Sequence, residues 1–167
     1  SNSKLLEWKV GYCSKGEYKD RIVIPSFDDE GDINYFITRT FTDDWLKYKN
    51  PPVSRDIIPF ELFVSWEHPI VLCEGVFDAI AIKKNAIPLL GKVPSKKLIM
   101  KIIESGVTDI YIALDNDAKE DALKLSQFMM SYGKNVYLVD MDSKDPSDLG
   151  FRSFWKQISH RRYAYER

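Results

Sequence analysis

The sequence has few of the residues that build disulfide frameworks or cysteine zinc sites. Its 167 residues include only two cysteines, Cys13 and Cys73, which lie far apart along the chain. Neither kind of site can be built from this pair, so we expect a protein of a reducing compartment such as the cytoplasm. The sequence also has no apolar run that approaches the roughly 20 residues needed to span a bilayer.

An excess of charge of either sign is missing as well. The 24 basic and 25 acidic residues leave a formal net charge of −1, so any binding of nucleic acid must come from local patches. A Walker phosphate loop, a dinucleotide glycine fingerprint and a nucleophile-elbow serine are all absent. What is present is a hydrophobic content of 44%, which is enough for a buried core in one domain or two small ones.

A nearly continuous apolar run at residues 70–82 is interrupted by acidic residues and a glycine. Its first four residues predict a buried strand, Gly75 predicts a turn, and the following residues predict a helix with Asp78 in its first turn. Glu74 then stands at the carboxyl end of the strand, which is the sheet edge where open α/β proteins bind ligands.

Two later strands, predicted at 109–114 and 135–139, are also followed by acidic residues. Because the carboxyl ends of parallel strands meet at one edge of a sheet, we expect these acids to converge. Carboxylate oxygens suit Mg²⁺ or Mn²⁺, and two such ions can support phosphoryl transfer. The candidate residues are Glu74, Asp78, Asp115, Asp117, Asp145 and Asp148.

Three of these acids also have an ordinary structural explanation. Asp78 can complement the dipole of its helix, and Asp115 or Asp117 can cap the helix that follows them. The metal site is favoured because capping does not explain Glu74, which ends a strand.

Strands and helices alternate from residue 70 onward, with helices predicted at 76–84, 117–132 and 151–159 and a strand at 87–90 among them. Such alternation is typical of a parallel sheet flanked by helices. Before that point, residues 21–25 and 33–41 are β-rich and are joined by an acidic turn, so we expect a hairpin. The predicted fold class is therefore α/β, with a Rossmann-like parallel sheet and a smaller β-rich α+β amino-terminal lobe. The predicted boundaries are 1–68 for the β-rich lobe, 69–150 for the catalytic α/β domain and 151–167 for a basic helix or tail.

Basic and aromatic side chains are mixed in the amino-terminal part, at Trp45, Lys47, Tyr48 and Lys49. This mixture suits single-stranded nucleic acid or nucleotide phosphates, although packing aromatics beside surface lysines would look the same. A second stretch, residues 83–101, contains lysines and no acid, and it can follow a phosphate backbone. A solvated helix face is the commoner explanation of such a run.

Several motifs resemble those of a known family. Residues 74–78, Glu-Gly-Val-Phe-Asp, resemble the Glu-Gly-x-x-Asp signature of Toprim domains, and residues 115–117 resemble their Asp-x-Asp. Other segments resemble the polymerase core of DnaG-type primases, particularly phage versions, and the resemblance covers about residues 20 to 150. These further segments are residues 21–25, 38–39, 47–50 and 144–149.

The resemblance implies a primase catalytic core that synthesises short RNA primers from ribonucleotides on single-stranded DNA, with Mg²⁺ or Mn²⁺. It implies a catalytic role for Glu74 and Asp78. It also implies that the protein works in the cytoplasm of a bacterial cell or phage-infected host. The implied metal ligands are Glu74, Asp115, Asp117, Asp145 and Asp148. The implied contacts to template or nucleotide are Arg39, Lys47, Lys49 and Lys92.

The sequence departs from the family pattern in places. Thr38 stands where glycine is expected before Arg39, and Ala118 follows the Asp-x-Asp where glycine is usual. Because primases carry a zinc-binding domain and a helicase-contacting part, we expect both as partners, in the same chain or in trans. The opening Ser-Asn-Ser without methionine suggests an excised fragment. Two alternatives stay open, namely a Toprim nuclease and a non-catalytic nucleic-acid-binding replisome module.

Overall fold

The computed structural model describes residues 7–139, 154–156, 158 and 162–163. The chain divides into two compact units, Ser1–Leu62 and Phe63–Arg167. The boundary predicted after residue 68 stays a prediction. In the second unit, the side-chain amide of Asn85 donates to the carbonyls of Ser65 at 2.8 Å and Pro69 at 2.9 Å.

The first unit contains a three-stranded antiparallel sheet. Its strands are β1 (Gly11–Cys13), β2 (Arg21–Phe27) and β3 (Ile33–Thr40), in the order β1-β2-β3. The predicted hairpin is confirmed as β2 and β3, and Gly31 closes its turn with a φ of +91° that favours glycine. Ile24 and Ile37 are buried on this sheet, and the rings of Trp8 and Phe60 pack with centroids 5.1 Å apart.

The second unit is built on a five-stranded sheet in the order β5-β4-β6-β7-β8. The first four strands in this order are parallel, and β8 pairs antiparallel with β7. The strands are β4 (Ile70–Cys73), β5 (Ala86–Pro88), β6 (Asp109–Ala113), β7 (Asn135–Leu138) and β8 (Arg162–Tyr163). The predicted α/β fold is confirmed, while the short edge strand β8 was not predicted.

Three helices accompany this sheet: α1 (Val76–Ile82), α2 (Lys96–Glu104) and α3 (Lys119–Ser131). Residues 154–156 and 158 are also helical, inside the helix predicted at 151–159. The helices bury apolar faces, and Leu98, Ile102 and Met129 are fully buried. Among the residues that the structure describes, none of the helices has the length and apolar character needed to cross a bilayer.

The ends of two elements differ from the prediction because the backbone enters the left-handed region. Helix α1 ends at Ile82 and not at residue 84, since Lys83 has a φ of +66°. Strand β5 ends at Pro88, and Leu90 has a φ of +56°. The helix predicted at 117–132 begins as a 3₁₀ turn, Asn116–Ala118, before α3.

Candidate active site

Three carboxylates meet at the carboxyl ends of two neighbouring parallel strands. Cys73 of β4 lies beside Ala113 of β6, so Glu74 and the residues that follow β6 leave the sheet at the same edge. Glu74, Asp115 and Asp117 each offer an oxygen, and these oxygens lie within 4.8 Å of one another. We call these three residues the carboxylate trio.

Glu74 and Asp115 are half-buried, whereas Asp117 is exposed. One carboxylate oxygen of Glu74 is the notable atom of the trio. This Oε2 atom is buried and has no hydrogen-bond partner among the described residues. Burial raises the pKa of this carboxyl, and the charges of Asp115 and Asp117 raise it further. A buried anionic oxygen without a donor is costly, and a divalent cation would relieve that cost. The trio therefore fits a hard cation held by oxygen ligands.

Asp115 and Asp117 come from the turn between β6 and α3. Asp115 precedes the 3₁₀ turn, and within the described part of the chain its side chain makes no capping hydrogen bond to that turn. Asp117 accepts a hydrogen bond from Lys92, with 2.7 Å between Nζ and Oδ2. This contact lowers the pKa of Asp117 and raises the pKa of Lys92.

Asp78 lies outside the trio and has a different contact. Its Oδ2 atom accepts a hydrogen bond from the backbone N–H of Gly75 at 2.9 Å, at the start of α1. A Cβ atom added to Gly75 would lie 3.1 Å from that oxygen, so glycine permits the close approach. Asp78 thus caps its helix, a structural role beyond the dipole complementation that the sequence suggested for it. Its catalytic role stays a prediction.

Asp145 and Asp148 lie outside the described residues. Their predicted contribution to the metal site therefore stays a prediction.

Three of the predicted basic side chains lie in the first unit, at the end of β3 or in the loop that follows it, residues 41–50. The Arg39 guanidinium lies 5.6 Å from the centroid of the Tyr48 ring and donates to the Tyr48 hydroxyl at 3.3 Å. Lys49 pairs with Glu17, with 3.2 Å between Nζ and Oε1, while Lys47 is exposed. Trp45 is 90% exposed, which is unusual for the largest apolar side chain. Cations and aromatics are therefore available together on this surface.

A buried arginine that we did not single out from the sequence holds this loop in place. Arg21 is 3% exposed, donates to the Leu46 carbonyl at 2.8 Å and pairs with the Asp44 carboxylate. The backbone N–H of Thr40 donates to the Lys47 carbonyl at 3.0 Å, which joins the loop to the end of β3. The sequence signals were the position of Arg21 in a β-rich segment and in the 21–25 motif of the family resemblance, and its partners come from later in the chain.

No protein-family model matches the sequence. Among curated proteins, a DNA primase of Staphylococcus epidermidis is 27% identical and covers 86% of this chain and 28% of its own length. A DNA primase of Thermotoga maritima is 28% identical and covers 79% of this chain and 26% of its own length. The chain thus spans about a quarter of the length of these relatives.

Solved structures show the same relationship in three dimensions. A DnaG catalytic core superposes with a TM-score of 0.81 at 15% identity, over 98% of this chain and 70% of that one. The fold is that of the DnaG catalytic core. The resemblance to DnaG-type primases that the motifs predicted is confirmed.

Two further solved primase structures include single-stranded DNA or a zinc-binding domain. A DnaG primase catalytic domain bound to single-stranded DNA has a TM-score of 0.72 at 18% identity, over 98% of this chain and 59% of that one. An Aquifex aeolicus primase, comprising zinc-binding and RNA polymerase domains, has a TM-score of 0.70 at 22% identity, over 94% of this chain and 45% of that one.

Proposed function

We propose that this chain is the catalytic core of a DnaG-type primase, with a Toprim domain in its second unit and a template-guiding lobe in its first. The reaction is the template-directed joining of ribonucleotides into a short RNA primer on single-stranded DNA. The observation that carries the proposal is the carboxylate trio, which stands at the carboxyl edge of a sheet whose fold is that of the DnaG core. The relatives named DNA primase support the same assignment.

The trio supplies the oxygen ligands for Mg²⁺ or Mn²⁺, and Asp145 and Asp148 are proposed to complete the set. When bound, a divalent cation stabilises the negative charge that builds up on the reacting phosphate. Glu74 is proposed as the general base or metal-associated acid that helps the attacking 3′-hydroxyl, which is the role that the resemblance implies. Asp115 and Asp117 are proposed to hold the cation from the end of the neighbouring strand, β6.

Arg39, Lys47 and Lys49 are proposed to contact the phosphates of the template or the incoming nucleotide. Exposed Trp45 and Tyr48 offer ring faces on which bases can stack. The related catalytic domain that was solved with single-stranded DNA supports this role.

Two further partners are proposed. We infer a zinc-binding domain, because one accompanies the polymerase domain in the Aquifex aeolicus structure. A replicative helicase is proposed from the family resemblance alone. The proposed location is the cytoplasm of a bacterial or phage-infected cell.

Primer synthesis tests the proposal directly. The protein is incubated with single-stranded DNA, labelled ribonucleotides and Mn²⁺, with a primase zinc-binding domain supplied in trans. Glu74→Gln should lower product formation by about a hundredfold or more, because it removes a proton acceptor and a ligand. Glu67→Gln, an exposed acid in a loop, serves as the matched control. Equal product from Glu74→Gln and wild type would contradict the assignment.

The same reagents separate the two other classes of function. Loss of a labelled strand in the absence of nucleotides would indicate a nuclease. Absence of any shift in melting temperature at millimolar Mn²⁺ would indicate a non-catalytic module, since a ligand that binds the native state raises that temperature.

A further inference from the structure

Lys92 is a fixed positive charge at the edge of the carboxylate trio. Its ammonium lies 2.7 Å from Asp117 Oδ2, and its charge partly offsets the effects that raise the pKa of Glu74. The two paired side chains are 40% and 71% exposed, so solvent and ions reach the contact. Lys92 thus neutralises part of the trio from the open side of the site.

The backbone directly before Lys92 has an unusual conformation, which positions this lysine beside Asp117. Leu90 has a φ of +56° and Gly91 a φ of +153°, so two consecutive residues leave the regions that L side chains prefer. The turn is fixed before and after these residues. Leu89 donates its N–H to the Cys73 carbonyl at 2.8 Å, and the Ser95 side chain caps α2 by accepting from Leu98 at 3.0 Å. Strain of this kind persists only where the surrounding structure imposes it, and it often marks functional sites.

We propose that Lys92 is an internal counter-cation of the trio, which a divalent metal ion displaces from Asp117. This inference rests on the proposed metal site. An ammonium at 2.7 Å from one ligand oxygen and a divalent cation on the same carboxylates would repel each other strongly. The exposed ion pair is itself weak, so a cation of higher charge can replace it.

Two consequences follow from the exchange. Lys92 lowers the affinity of the trio for metal, because its contact with Asp117 must be broken first. Once displaced, its ammonium is free to pair with the phosphates of a nucleotide, the role that the resemblance implied for it.

Direct measurement of Mn²⁺ affinity tests the proposal without any enzymatic readout. Free Mn²⁺ is followed by electron paramagnetic resonance while wild type, Lys92→Met, Lys92→Arg and Lys96→Met are titrated at constant ionic strength. Lys92→Met should lower the Kd for Mn²⁺ by about two- to tenfold, since it removes a competing ion pair and a repelling charge. Lys92→Arg keeps the charge and should retain the wild-type Kd.

Lys96→Met is the matched control, because Lys96 is exposed in the first turn of α2 and removal of its charge leaves Asp117 paired. Its Kd should stay near that of wild type. A Lys92→Met Kd equal to or above that of wild type would overturn the inference, as would an equal tightening in Lys92→Arg. Either of these results leaves the proposed metal site standing, provided that wild type binds Mn²⁺ and Glu74→Gln does not. If wild type and Lys92→Met both fail to bind Mn²⁺ at millimolar concentration, the metal site and this inference fail together.

Discussion

Replacement of Glu74 by glutamine should have opposite effects on stability without and with metal. Burial and the charges of Asp115 and Asp117 raise the pKa of Glu74, so at pH 7 the folded protein carries an unfavourable ionised carboxyl. Glu74→Gln removes that charge at nearly constant volume. Because the side chain is partly exposed and solvent screens it, we expect a gain of about 0.5 kcal/mol in the free energy of unfolding. This corresponds to a rise of about 1–2 °C in melting temperature.

Addition of Mn²⁺ should reverse the order of the two proteins. At a hundredfold excess over its Kd, a ligand stabilises the native state by about 2.7 kcal/mol, or about 5–10 °C for a chain of this size. A Glu74→Gln protein that binds Mn²⁺ a hundredfold more weakly would gain only about 0.4 kcal/mol at the same concentration. Wild type should therefore melt below the variant without metal and above it with metal.

The pH dependence gives an independent check on the metal-free effect. A carboxyl with a raised folded-state pKa contributes stability that is fully present below its unfolded pKa and is lost as the pH rises through the folded-state pKa. The advantage of Glu74→Gln should therefore be present at pH 7 and vanish as the pH falls toward the unfolded value of about 4.3.

Scanning calorimetry at several pH values, with and without Mn²⁺, measures both effects. Glu67→Gln, exposed and outside the trio, should leave the Mn²⁺ shift unchanged. A Glu74→Gln protein that melts below wild type without metal and shows the same Mn²⁺ shift would refute the role given to this carboxyl.

Three further predictions concern the supporting residues. Asp78→Ala should lower the free energy of unfolding by about 1 kcal/mol in urea denaturation, because the Gly75 N–H loses its acceptor, whereas Asp78→Asn keeps an acceptor and should lower it less. Arg21→Met should lower it by about 2–3 kcal/mol, since removal of the buried guanidinium leaves its acceptors unpaired. Arg39→Ala combined with Lys47→Ala should reduce the salt dependence of single-stranded DNA binding, by about 0.7 in the log–log slope for each phosphate that the protein no longer neutralises.

Each of these has a control or a contradicting result. Equal decreases in stability from Asp78→Ala and Asp78→Asn would show that the capping hydrogen bond is not the cause. Lys19→Met removes an exposed charge near Arg21 and should be nearly neutral. An unchanged salt slope in the double variant would remove Arg39 and Lys47 from the template-binding surface.

The main features of the fold could be predicted because they follow from local patterns. The apolar run at residues 70–73 ends at Glu74, and the β-rich run before Asp115 ends in the same manner, so both acids were placed at strand ends. That they meet depends on the strand order β5-β4-β6, in which β4 lies between its two successors. The sequence indicated parallel neighbours but not which strands would be adjacent.

The interactions that the sequence could not predict depend on backbone conformation and distant partners. Lys92 was predicted to contact template or nucleotide from the resemblance and from its lysine-rich stretch, yet its pairing with Asp117 requires the turn at Leu90 and Gly91. Asp78 matched a catalytic signature and a residue that complements the helix dipole, and only the position of its oxygen reveals the capping hydrogen bond. Strand β8 has two residues and forms only by pairing with β7.

Anomalous diffraction from crystals soaked in Mn²⁺ tests the central claim most directly. We predict a manganese peak within about 2.5 Å of carboxylate oxygens from at least two members of the trio, Glu74, Asp115 and Asp117. Three ordered carboxylates with no peak between them at saturating Mn²⁺ would contradict it.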